Sequence, residues 1–155
     1  MTLVPSFEGL LQGFAVLLTA PSFQTFTWLV TGWVFASRRT ITGMIVAAGV
    51  VGKKHHASFH RFLAAARWSL DEFGLVLFGL LTPWLGGVVF VVLDDTLARK
   101  RGVKMFGVGM HHDPLLSSRK QAITNWGPSW VILAVLVRVP LWPERVFAVP
   151  ILFRL

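Results

Sequence analysis

"VVFVVLDDTLARKRGVK", Val88–Lys104, decides how this chain is read. Its first six residues are valine, phenylalanine or leucine, and two adjacent aspartates, Asp94 and Asp95, follow at once. An apolar run that stops at two carboxylates has two physical explanations. It is the end of a membrane span, with the acids at the polar boundary. Or it is a buried strand that delivers a carboxylate to a site. The residues upstream separate the two: Thr82-Pro83-Trp84 and Gly86-Gly87 break the run and shorten it to Val88–Leu93. A short, valine-rich run bounded by such breaks reads as a strand.

Composition keeps the membrane reading alive. Apolar residues make up 54% and charged residues 14% of the 155 residues, against about 45–50% and about 25% in ordinary domains. Two stretches, Gly9–Ser37 and Phe73–Leu93, carry no charge, and each is long enough for the roughly 20 residues a spanning helix needs. The alternative reading is therefore a small, basic, multi-pass integral membrane protein. Pro21-Ser22 divides the first stretch as Pro83 and Gly86-Gly87 divide the second. Met1–Leu18 has no positive lead and contains Glu8, so export by the usual route is not expected.

The net charge is +8, from 15 Lys and Arg against 7 Asp and Glu. Such a balance favours an anionic partner, nucleic acid or a lipid surface. The absence of cysteine excludes disulfides and thiolate metal sites.

Outward from the opening stretch, the chain changes character near Pro83. Before it, the pattern is helical: Phe23–Ala36, Thr40–Val51, then "KKHHASFHR" opening a helix from Lys53 to about Trp68. A fourth helix follows the Ser69 cap, with Asp71 and Glu72 in its first turn, and runs to about Leu81. Residues 1–22 are a weakly patterned lead-in. After Pro83 the apolar runs are short: Val88–Leu93 continuing into Asp94-Asp95, then Trp130–Val139 and Arg145–Leu155, with "PLWPE" as the turn between the last two. The expected fold class is α+β, a helical region over 1–85 followed by a sheet domain over 86–155. Three strands with no covering helix leave a face bare, so the expectation is a fragment of a larger fold.

Several groups of residues could carry chemistry. A carboxylate on a buried strand can hold Mg²⁺, which prefers oxygen ligands; equally, Asp94 and Asp95 can pair with Arg99 and Lys100. Arg99, Lys100, Arg101 and Lys104 suit a phosphate backbone or a solvated turn. Arg38 and Arg39 at one helix junction, with Lys53, Lys54 and Arg61 at the next, resemble the phosphate contacts of a helix-turn-helix unit around Gly49–Gly52. A solvated basic helix face fits them as well. His111-His112-Asp113 and the pair His56 and His60 invite a metal reading, but adjacent histidines point apart and no HExxH motif occurs. "NWGPSW", Asn125–Trp130, reads as a loop entering a strand.

The combination of "FHRFLAAARWS", "VVFVVLDDTLARKRGVKMFGVGMHHDPLLSS" and "NWGPSWVILAV" resembles the N-terminal half of an insertion-sequence DDE transposase, a DDE superfamily endonuclease of the insertion sequence 701-like kind, over roughly residues 23–155. The resemblance implies a ribonuclease H-like core whose first three strands are the three runs above. It implies that the first metal-binding acid of the triad is Asp95, with Asp94 as the alternative. It implies Mg²⁺ or Mn²⁺ as cofactor in the intact family, and DNA as partner, both transposon ends and target. Arg38, Arg39, Lys53, Lys54, Arg61, Arg99, Lys100 and Lys104 are then the candidate DNA contacts. A homo-oligomer and a cytoplasmic, nucleoid-associated location follow from the same likeness. The family tends to place a histidine where this chain has Pro128. Its second Asp and its Glu lie further downstream, so the expectation is a truncated transposase, inactive and without a stably bound metal.

Overall fold

The computed structural model describes residues 5–100, 102 and 104–155. Two compact units divide after Val76, the second being Leu77–Leu155. Each is described by itself.

The first unit is helical. It contains α1 (Pro5–Gln12), α2 (Ala20–Phe35), α3 (Ile41–Ala47), α4 (His56–Ala65) and the start of α5 (Leu70–Leu81). Pro21 sits in the first turn of α2, where its missing N–H costs nothing. Thr40 caps α3 by accepting from the Gly43 amide at 3.1 Å. His55 caps α4, its Nδ1 accepting from the Ala57 amide at 3.3 Å. Phe59 and Phe62 of α4 close over Leu29 of α2 and Met44 and Ile45 of α3. Each such side chain contributes roughly 1.5–3 kcal/mol when fully buried. Gly32 of α2 lies against the Met44 backbone, and a Cβ there would collide with the Met44 carbonyl. That contact lets two helix backbones approach closely.

Three sequence expectations need correction here. The lead-in contains α1. The second helix stops at Ala47 rather than Val51, because Gly49 takes a left-handed φ of 68° that ends the helical path. The third helix starts at His56 rather than Lys53, since Val51–Lys54 form a turn around Gly52, also left-handed, and ends at Ala65 because Ala66 is extended.

The second unit is an antiparallel sheet of four strands: β1 (Val91–Leu97), β2 (Val108–His112), β3 (Thr124–Val137) and β4 (Phe147–Arg154). The order is β1-β3-β2, with β4 also paired to β3. β3 is the spine. Its first part pairs with β2, from Pro128 opposite Val108 to Thr124 opposite His112. Its second part pairs with β1 and with β4. Three expected strands are thus present, displaced at their ends, and a fourth, β2, was not expected. The reason is that "NWGPSW" is strand rather than loop. Gly127 gives β3 a close backbone approach to Ala98. Pro128 keeps its place in the ladder through its carbonyl, which accepts from Ala98 at 3.0 Å. Pro150 lies on β4, where an outer edge needs no donor.

Among the described residues no helix is long and apolar enough to cross a membrane. The two uncharged stretches are divided between shorter elements, and this argues against the multi-pass reading.

Candidate functional site

Asp94 and Asp95 do not end β1; they lie within it, opposite Ile132 and Val131 of β3. Successive strand residues point to opposite faces, so the pair cannot act together on one ion. Asp94 folds back on the chain, its Oδ1 accepting from the Asp95 amide at 2.9 Å. Both acids are exposed.

The register assigns the faces. The β1 ladder continues past Leu97, because the Lys100 amide donates to the Trp126 carbonyl at 3.0 Å. Arg99 therefore stands opposite Gly127, on the same face as Asp95. On the other side of β3, the Asp113 amide donates to the Ile123 carbonyl at 2.8 Å and extends β2 by one residue. Asp113 and Asn125 then share that face too. Asp95 lies about 13 Å along β1 from Arg99, at roughly 3.3 Å per residue.

Sequence reasoning missed what this face holds. Arg99 reaches across β3, over the side-chain-free Gly127, and grips Asp113 with two nitrogens, Nη2 lying 2.9 Å from Oδ1. Asn125 Nδ2 donates to Asp113 Oδ2 at 2.6 Å, and the Leu115 and Leu116 amides donate to Oδ1 at 3.1 and 3.2 Å. Asp113 is 1% exposed, while Arg99 is 43% exposed. The Arg99 hydrogen bonds, aided by Asn125 and the Leu116 amide, hold the Asp113 carboxyl well below the usual carboxylate range despite burial. Asp113 in turn raises the Arg99 guanidinium. The one clue in the sequence was the pairing of Asp113 with Asn125 across a hairpin, which is visible only once Val108–His112 is read as a strand.

The basic residues fall into three kinds. Arg99 is committed to Asp113. Lys54 is committed as well: its Nζ donates to the Pro21 carbonyl at 2.8 Å and to Thr25 Oγ1 at 2.9 Å, and lies 5.4 Å from the centre of the Trp28 ring. Arg39 lies over Trp33, its guanidinium carbon 4.8 Å from the ring centre, and remains exposed. Arg38, Lys53, Arg61, Lys100 and Lys104 are exposed, with Arg61 reaching Ser58 Oγ at 3.4 Å. Arg101 lies outside the described residues. In the helical unit, Lys53 and Lys54 stand at the α3–α4 turn with Arg61 on α4, and Arg38 and Arg39 stand at the α2–α3 junction.

No group of three or more His, Asp or Glu gathers among the described residues to hold a metal ion. His56 and His60 do meet, with ring centres 4.6 Å apart, and His56 Nε2 lies 3.2 Å from Thr42 Oγ1. Two imidazoles without a carboxylate do not make a Mg²⁺ site, and Asp95 faces Val131 rather than a second acid. The described residues do not fit a complete metal centre.

The architecture is α+β: a helical unit with basic helix junctions and an antiparallel sheet whose first strand carries adjacent acids. The family is shown directly: the sequence model of the DDE superfamily endonucleases matches residues 18–155. This chain belongs to that family. No curated protein and no solved structure matches it.

Proposed function

We propose that the chain is the N-terminal part of an insertion-sequence transposase of the 701-like kind. The observation that carries this reading is the family match over residues 18–155 with the Asp94-Asp95 pair on the first strand of the sheet. In this reading 1–85 is a DNA-binding helical region, and 86–155 begins a ribonuclease H-like catalytic domain. Asp95, with Asp94 as the alternative, is the first metal-binding acid in this reading, supported by the position of both acids on the first strand of the sheet. In the intact enzyme, Mg²⁺ or Mn²⁺ held by three acids would activate the attacking and leaving oxygens. In this reading the chain alone binds DNA without cutting it. Arg38, Arg39, Lys53, Arg61, Lys100 and Lys104 contact phosphates. Lys54 and Arg99 support the fold around them. Self-association at paired transposon ends and residence on the nucleoid belong to the same reading.

A gel-shift titration with duplex DNA, paired with a strand-transfer assay in Mg²⁺ and in Mn²⁺, tests it. Binding that weakens steeply with salt is expected, with no strand transfer. An absence of duplex binding at low salt overturns the DNA-binding part, and strand transfer by this chain alone overturns the inactive part.

A further inference from the structure

We propose that His56 and His60 of α4 form a binding site for a divalent transition-metal ion of the kind that favours imidazole, Cu²⁺ foremost. The two residues are four apart and share one face of the helix. Their ring centres lie 4.6 Å apart, with the ring planes tilted by 60°. Both side chains are exposed, so an ion from solvent reaches them. Two nitrogens held at about 2.0–2.1 Å from one ion stand roughly 3 Å from each other. Rings with centres 4.6 Å apart can meet that separation. The torsion that turns an imidazole about its stem is broad, so two exposed rings can aim a nitrogen at one point.

The surroundings choose the class of ion. No Asp or Glu occurs between Ile41 and Ala65, so a hard cation such as Mg²⁺ finds no carboxylate in this segment. Lys53 and Arg61 flank the pair in sequence and are exposed. They oppose an ion held by charge alone. What remains is coordination by imidazole, which suits Cu²⁺, Ni²⁺ and Zn²⁺, with Cu²⁺ the tightest of the three. Thr42 of α3 fixes one of the rings: His56 Nε2 lies 3.2 Å from its Oγ1. With Nε2 donating to that hydroxyl, the Nδ1 lone pair of His56 is left for the ion, as a ligating histidine's outer hydrogen bond requires. Among the described residues the His60 ring has no hydrogen-bond partner, so neither of its nitrogens is committed elsewhere. His55 is different, because its Nδ1 accepts from the Ala57 amide as the cap of α4. The site therefore has two protein ligands, with water in the other positions. An ion across His56 and His60 ties the first residue of α4 to the next turn and stabilises the start of that helix. The proposal uses none of the residues given a role above and stands without the DNA reading.

The test titrates the full chain with Cu²⁺ alone, and separately with Zn²⁺ and with Mg²⁺. Calorimetry reads affinity, electron paramagnetic resonance counts the imidazole nitrogens on copper, and thermal unfolding reads stabilisation. The expected result is a copper signal with two imidazole nitrogens, a raised unfolding temperature, weaker Zn²⁺ and no response to Mg²⁺. His60→Ala, at an exposed position, should weaken Cu²⁺ by at least tenfold and leave one imidazole nitrogen. Should it fail to fold, His60→Gln carries the comparison. The double variant His111→Ala with His112→Ala removes the chain's other adjacent histidines and should leave the tight copper site unchanged. Copper bound equally by the wild type and the His60 variants, copper lost in the double variant instead, or an equal response to Mg²⁺ overturns the proposal.

Discussion

In the helical unit Phe59 and Phe62 are enclosed by α2, α3 and the turn between α3 and α4. In the sheet unit Phe90 is 64% and Leu93 69% exposed, and Val88, Val89, Val91 and Val92 are exposed with them. The runs look alike as sequence, yet the sheet unit's enclosed residues include a carboxylate, Asp113, beside Val135 and Val137. The difference lies in what each element can cover. Helices at close approach, helped by Gly32, shield one another's apolar faces on three sides. A single antiparallel sheet shields only the strand in its middle, and β1 is at its edge. The stability of the two units should therefore rest on different chemistry, apolar packing in one and a polar clamp in the other.

The largest expected effect breaks the packing. Phe59→Ala should destabilise the helical unit by about 3–5 kcal/mol, because a fully buried ring leaves a cavity that the helices only partly fill. Hydrogen exchange should show faster opening across α2, α3 and α4, with the amides of β3 unchanged. Equal acceleration in β3 would mean that the units do not hold separate stability.

Next comes the clamp. Asp113→Asn keeps the volume and removes the charge that Arg99 grips. The loss should be smaller than for Phe59→Ala, because the half-exposed guanidinium returns to water while Asn125 and two amides lose their best acceptor. Acid should mimic it. The folded carboxyl lies below its ordinary value, so its stabilisation is fully present above about pH 3.9. It shrinks as the pH falls below that and is lost through the folded value. Urea midpoints at neutral pH and at about pH 3 should differ more for the wild type than for Asp113→Asn. A difference of equal size in both would remove the clamp from the account.

Gly32→Ala comes third. The added methyl meets the Met44 backbone, which cannot rotate away, so α2 and α3 must part. Overpacking of this kind costs about 1–3 kcal/mol. Thermal unfolding of Gly32→Ala and of Gly79→Ala separates crowding from glycine's backbone freedom. Gly79 is also helical, and a Cβ there meets nothing within 4 Å, so that change should be neutral or stabilising.

The same comparison explains how far the sequence could be read. Helices α2 to α5 were legible, though not all of their ends, because much of their capping is local: Pro21, Thr40 and Ser69 act within a turn of their own positions. β1 and the late strands were legible from valine-rich runs. β2 was not, since "VGMHH" has little strand character alone and gains its place by pairing with "TNWGP" across a turn. The clamp was illegible for the same reason. Arg99, Asp113 and Asn125 are brought together by register across three strands, and Gly127 matters there only for the side chain it lacks. Lys54 looked like a surface cation because nothing near it in sequence announces Pro21 and Thr25, its partners 33 and 29 residues away.

The smallest expected effect is the sharpest test of the contrast. Leu93 is as apolar as any core residue and sits in the middle of β1, opposite Leu133. If burial rather than composition sets stability, Leu93→Lys should change the urea midpoint by no more than about 0.5 kcal/mol, as exposed substitutions do. The lysine should also reduce concentration-dependent association, because a charged edge strand pairs poorly with another chain. Sedimentation at rising concentration measures the second effect beside the first. A loss of several kcal/mol would show that β1 is covered in solution, and the sheet would then join the helices as a unit held by apolar packing.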